Sequence, residues 1–179
     1  MIDRMIESAR IGFHFTVTAT TRDPRPGETD GINHHFVTVD EFINQIAADD
    51  LLEWAQVYGN YYGVPKKQVR DALAAGNHVI LRVDVQGAKR LSEIIPEALL
   101  IFIIPPSLDV LKSHLQKRGV DTEAEMTKRL EAATEEISQA SLFDFTVTNE
   151  EGRLDDTVDQ VVEIIESESQ RIPPRKMSI

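Results

Sequence analysis

Two stretches of this chain, HVILRVD at 78–84 and LLIFII at 99–104, are nearly continuous apolar runs too short to be helices. Each is followed by a segment with helical spacing, QGAKRLSEII and SLDVLKSHLQKR. Apolar strands that alternate with helices point to a parallel sheet covered on both faces. The expected architecture is therefore α/β. The rest of the second half fits it. PKKQVRDALAAG reads as a helix with Pro65 at its first turn and Gly76 just past its end. TEAEMTKRLEAATEEISQ reads as a long polar-faced helix, FTVTN as a strand, and LDDTVDQVVEIIESE as an amphipathic last helix. With 179 residues, 41% of them hydrophobic, the chain suits one domain with a real core.

The first half is more irregular. Ile2, Met5, Ile6 and Ala9 share one helical face, so 2–9 reads as a helix. Residues 13–19 alternate and read as a strand, and HHFVTV as a second. Thr38 and Glu41 have the spacing of a capping box, opening a helix through EFINQIAA. EWAQVYGNYYG, 53–63, mixes aromatics with glycines and reads as a short strand and turn in a small inserted subdomain. The tail RIPPRKMSI reads as mobile.

The net charge is −11. Such a chain repels nucleic acid and anionic lipid at long range, so its few basic clusters read as sites for small anions. There is no cysteine, which excludes disulfides and thiolate ligands and fits a reducing, cytoplasmic setting. No apolar run has the length of a membrane span.

Three constellations carry chemistry. Arg22 and Arg25 lie three residues apart in TTRDPRPGETDG, on a backbone stiffened by Pro24 and Pro26. They read either as two guanidiniums presented to one phosphate or as a solvated turn. Asp84 ends an apolar strand just before a helix, where α/β sheets bind ligands. It reads as a partner for hydrated Mg²⁺ or a ligand, or as a helix N-cap. Arg82 lies two residues before it, so both point to the same face, and a buried Arg82 needs a partner, of which Asp84 is the nearest in sequence. Arg118 and Arg129 flank GVDTEAE, a polar excursion between helices, and read as lid cations or as exposed residues. His14, His78 and His114 read as structural or surface residues, and no His-x-x-x-His pair suggests a metal cluster.

Taken jointly, these stretches resemble the guanylate kinase family from about Phe13 to Asn149. TATTRDPRPGETDG is similar to its phosphate loop for GMP, LLEWAQVYGNYYGVP to its GMP-binding subdomain, VDVQGA to its strand-end motif, and IPPSLDVLKSHLQKRGVDTEAEMTKRL to its lid. The resemblance implies one domain with a core at 1–20, 64–106 and 142–170, a GMP-binding subdomain at 21–63, a lid at 107–141 and a tail at 171–179. It implies phosphoryl transfer from ATP, with Mg²⁺, to GMP. Arg22, Arg25 and Tyr62 would hold the GMP phosphate, with His34 beside them where the family commonly has tyrosine. Thr18, Glu53 and Asp84 would read the guanine edge, and Arg118 and Arg129 would close over the ATP phosphates. Val64 stands where a serine or threonine is usual, and Arg82 where an acidic residue is usual.

One family element is not among the 179 residues. None of the nine glycines is followed by lysine, so the run G-x-x-x-x-G-K-[ST] does not occur. The opening helix resembles the back half of the helix that follows that loop. In the family's sheet order the first strand lies between the strands matching HVILRVD and LLIFII. Its absence implies either direct pairing of those two strands or a strand donated within a homo-oligomer. It also sets a second function beside the kinase: an impaired GMP-binding or protein-interaction module.

Overall fold

The computed structural model describes residues 4–5, 12–57, 59–118 and 122–172. The expected helix over 2–9 falls outside them except at Arg4 and Met5, which are helical. The tail lies outside them beyond 172. Among the described residues there are eight strands and six helices. They are β1 (Phe13–Phe15), β2 (Ala19–Thr20), β3 (His35–Phe36), α1 (Val39–Ala47), β4 (Leu51–Val57), β5 (Asn60–Pro65), α2 (Lys66–Ala74), β6 (His78–Ile80), α3 (Val85–Ile94), β7 (Ile101–Ile104), α4 (Leu108–Arg118), α5 (Glu123–Ser138), β8 (Phe145–Thr148) and α6 (Leu154–Ser169). They fall into two compact units, one holding β1–β6 with α1–α3, the other β7, β8 and α4–α6.

In the first unit, β1 and β6 run parallel, Phe13 beside His78 and Phe15 beside Ile80. The stretch 13–19, expected as one strand, is split. It pairs with β6 up to Thr16, whose N–H donates to the Ile80 carbonyl at 3.1 Å. Three residues later, as β2, it joins a different sheet of order β3-β2-β5-β4. That sheet is mixed: β2 runs parallel to β3 and antiparallel to β5, and β4 and β5 form a hairpin. Gly59, at φ +82°, sits in the hairpin turn, a left-handed conformation that favours glycine.

The small sheet is stable because α1 covers it. Thr38 Oγ1 accepts from the Glu41 N–H at 3.2 Å, and the Glu41 carboxylate accepts from the Thr38 N–H at 2.7 Å, the expected capping box. Such a cap contributes about 1 kcal/mol. The helix then lowers Phe42, which is fully buried, onto Ala19 and Leu51. Fully burying a phenylalanine contributes about 1.5–3 kcal/mol.

The strand HVILRVD ends early, at Ile80, and 81–84 leaves the sheet to enter α3. In the second unit, β7 and β8 run parallel from Ile101 beside Phe145 to Ile104 beside Thr148. The helix α6 turns Thr157, Val158, Val161 and Val162 inward, one face at helical spacing. Strand β6 bonds to β1 and β7 to β8, each strand finding its neighbour inside its own unit.

Candidate active site

The Pro-rich loop after β2 folds back on itself. The Glu28 N–H donates to the Arg25 carbonyl at 3.0 Å, with Gly27 at φ +87° making the turn. This brings the Glu28 carboxylate against Arg22. Arg22 Nη1 and Nη2 each donate to one Glu28 oxygen at 2.7 Å, a fork-to-fork pair. Glu28 Oε2 also accepts from the Arg25 backbone N–H at 2.7 Å. The Arg22 hydrogen bond, and next to it that N–H, pull the Glu28 carboxyl down to about 2. Glu28 in turn raises the pKa of Arg22, with a smaller contribution from Tyr62. Arg22 also lies over the Phe36 ring, 5.5 Å from its centre.

The two arginines therefore differ. Arg22 is half-buried and fixed, whereas the Arg25 side chain is exposed. Sequence reasoning did not find Glu28. Its signal was present as an acid six residues beyond Arg22, across a glycine turn.

His34 and Thr18 stand beside this cluster, with Thr18 Oγ1 and His34 Nδ1 2.7 Å apart. Thr18, expected at the guanine edge, thus bonds to a residue expected at the phosphate. The His34 ring packs edge-on against Phe36 and Tyr62, with centres 5.8 and 6.1 Å apart. Burial, then the Arg22 charge, push the His34 imidazole below its ordinary value.

The acidic end is built on β4 and α3. Glu53 is 9% exposed. Burial pushes its carboxyl above the ordinary value, Arg90 pulls it back at 3.1 Å, and the Asp84 charge adds to the rise. Asp84 takes the N-cap alternative: Oδ1 accepts from the Gly87 N–H at 2.7 Å. Gly87 lets the two acids converge. A Cβ there would lie 3.3 Å from Asp84 Oδ1, 3.5 Å from Glu53 Oε2 and 2.9 Å from the Val83 Cβ.

The Arg82–Asp84 ion pair expected from the sequence does not form. Arg82 is exposed, with its guanidinium 5.6 Å from the centre of the Phe15 ring. The two-residue rule holds only along a strand, and the strand has ended at Ile80.

The hairpin register ties both ends together. Thr20 and Ala55 lie opposite Tyr62, and Glu53 lies opposite Val64. Cross-strand partners share a face, and residues two apart on a strand do too. Glu53, Val64 and Tyr62 therefore line one face, with Tyr62 about 7 Å along β5 from Val64. Val64 is fully buried.

Arg118 and Arg129 belong to the second unit. Arg118 is the last residue of α4, and Arg129 is an exposed residue of α5 whose charge acts on Glu125. Among the described residues no group of three or more histidines or carboxylates is placed to hold a metal ion.

The guanylate kinase family profile matches residues 1–168. This chain belongs to the guanylate kinase family. It is 43% identical over 169 residues to the guanylate kinase of Latilactobacillus sakei, covering 94% of this chain and 82% of that protein. It is 40% identical to the guanylate kinase of Carboxydothermus hydrogenoformans, covering 92% and 78% of the two chains. The crystal structure of guanylate kinase from Anaplasma phagocytophilum superposes with a TM-score of 0.77 at 30% identity, over 95% of this chain and 81% of that one. The α/β architecture read from the sequence is thus the architecture of a guanylate kinase. No helix among the described residues is long and apolar enough to cross a membrane.

Proposed function

We propose that this chain transfers a phosphoryl group from ATP to GMP, giving ADP and GDP. The observation that carries the reading is the pairing of opposite chemistries on one small sheet. A guanidinium fixed by Glu28 interacts with Tyr62, and a buried carboxylate stands opposite Val64, two positions further along β5.

Each end fits one part of GMP. Guanine presents N1–H and N2–H₂ as donors, and an ionised Glu53 is an acceptor for both. Asp84 and Thr18 complete the acceptor set, Asp84 with the oxygen it does not use on Gly87. At the other end, an arginine has five N–H donors. Arg22 gives two to Glu28 and one to the Asp23 carbonyl, which leaves two for Tyr62 and an incoming phosphate. Arg25 and His34 supply the remaining donors. Adenine lacks the guanine donor pair, so AMP would leave Glu53 desolvated and unmatched, which selects against it.

In the reaction, a GMP phosphate oxygen attacks the γ-phosphorus in line and the bond to the bridging oxygen of ADP breaks. Arg118 and Arg129 are assigned to the charge on the transferring group. Mg²⁺ fits here as an ion carried on the ATP phosphates, where it neutralises charge, rather than as one held in a protein cage. The domain layout is the one the resemblance implies, with 21–63 holding GMP and 107–141 as lid. The β- and γ-phosphates of ATP are assigned to no glycine-rich loop, because the run G-x-x-x-x-G-K-[ST] is not among the 179 residues.

A coupled assay of ADP formation with GMP and ATP tests the reading, beside calorimetric titration of each nucleotide alone. Turnover that requires GMP supports the kinase. GMP binding without ADP release supports the alternative, a GMP-binding module. Glu53→Gln should erode the preference for GMP over AMP, and an intact preference would remove Glu53 as the guanine reader.

A further inference from the structure

Arg90 belongs to none of the residues that the sequence singled out, yet it reaches the buried acid of the pocket. Its Nη2 donates to Glu53 Oε2 at 3.1 Å. The Glu53 side chain is 7% exposed and that of Arg90 38%. Nε of Arg90 is buried without a hydrogen-bond partner, so among the described contacts Glu53 is what holds the guanidinium in place. Arg90 lies on α3 one turn beyond Gly87, where a Cβ would come within 3.5 Å of Glu53 Oε2.

The protonation state of Glu53 decides which purine it matches. A carboxylate only accepts hydrogen bonds, whereas a carboxylic acid donates one and accepts another. The guanine edge offers two donors, N1–H and N2–H₂, and so matches the carboxylate. The adenine edge offers an acceptor at N1 and a donor at N6, and so matches the acid. A buried carboxyl without a cation drifts towards the acid form, because desolvation penalises its charge.

We propose that Arg90 is a specificity-determining positioning residue: its guanidinium, 3.1 Å from the buried Glu53 carboxylate, keeps that group ionised and aimed, so the pocket accepts guanine and refuses adenine. This rests on Glu53 being the guanine acceptor. The charged groups acting on Glu53 are Arg90 and Asp84, and they oppose each other. Burial and Asp84 push the carboxyl up while Arg90 pulls it down, so removing Arg90 leaves only upward influences.

The test compares wild type with Arg90→Met, Arg90→Gln and Arg90→Lys, titrating GMP and AMP by calorimetry from about pH 5 to about pH 8. The readout is the ratio of GMP to AMP affinity at each pH, in which the ionisation of the phosphate and of His34 cancels. In Arg90→Met and Arg90→Gln the acid-side fall of GMP affinity moves to higher pH. At about pH 6 the ratio drops roughly tenfold for each pH unit of that movement. AMP binding tightens at the same time, which loss of structure cannot produce. Arg90→Lys keeps the cation and restores most of the ratio. If the neutral variants follow the wild-type ratio across the range, or lose both ligands equally while still folded, Arg90 has no such role. Glu53→Gln separates the two levels of the argument. A ratio that collapses in Glu53→Gln but not in the Arg90 variants overturns the role of Arg90 alone. A ratio unchanged in Glu53→Gln overturns the guanine-site reading beneath it.

Discussion

Gln68 on α2 holds Val17 by both ends of its amide: Oε1 accepts from the Val17 N–H at 2.8 Å, and Nε2 donates to the Val17 carbonyl at 2.6 Å. Val17 lies where the chain passes from the β1–β6 pair to the four-stranded sheet, so no strand supplies its partners. A side chain stands in for a missing ladder and fixes the segment that carries Thr18. Gln68→Ala leaves both backbone groups of a half-buried residue without their partners. The expected cost is about 1–3 kcal/mol. Urea unfolding should show a lower midpoint at an unchanged slope, and an unmoved midpoint would mean that the contact contributes nothing.

Residues that act on near neighbours were legible in the sequence, and residues that act across the fold were not. The box Thr38–Glu41 was visible as a spacing, because both partners sit within one helical turn. The division of 13–19 between two sheets was not visible, since it depends on Gln68, 51 residues away. The apolar pattern marked HVILRVD as a strand but not its end at Ile80, and that error placed Arg82 against Asp84. Arg22 could be singled out from its loop and Glu53 from the family resemblance, but their partners Glu28 and Arg90 could not. Ion pairing leaves no periodic trace in a sequence.

Arg25 should matter to binding more than to folding. Its guanidinium is exposed, and its structural contact is made through the backbone N–H, which any residue but proline retains. Arg25→Ala should weaken GMP binding by about 1.5–3 kcal/mol, the range of a charge-assisted hydrogen bond. The thermal midpoint should stay near wild type. Calorimetric titration of GMP checks this, and an unchanged affinity would remove Arg25 from the site.

The Arg22–Glu28 pair predicts a specific acid response. The Glu28 carboxyl titrates at about 2 in the folded chain, against an ordinary value of 4.5. The unfolded chain therefore takes up the proton first as pH falls. The stability from this group is present above about 4.5 and is lost progressively towards about 2. In Glu28→Gln that contribution cannot titrate. The stability difference between wild type and Glu28→Gln should shrink across this window, as read by urea unfolding at a series of pH values. A difference independent of pH would show that the pair does not set the Glu28 carboxyl.

Gly87→Ala should damage folding and selectivity together, and for one geometric reason. Gly87 is helical, so the substitution costs nothing in backbone conformation and would favour a helix in open space. Here the new Cβ meets the Val83 Cβ at 2.9 Å, closer than such atoms approach. Something has to shift, and overpacking of this kind costs about 1–3 kcal/mol. The Cβ would also sit 3.3 Å from Asp84 Oδ1 and 3.5 Å from Glu53 Oε2, so relief that moves α3 away from β4 separates the two acids. It also draws Arg90, on the same helix, away from Glu53. Unfolding should show a lowered midpoint, and titration should show a smaller GMP-to-AMP ratio, closer to that of Glu53→Gln than to that of Arg25→Ala. A variant that lost stability but kept the wild-type ratio would show that α3 yields in some direction that leaves the acids where they are, and the convergence at Gly87 would not be what recognises the base.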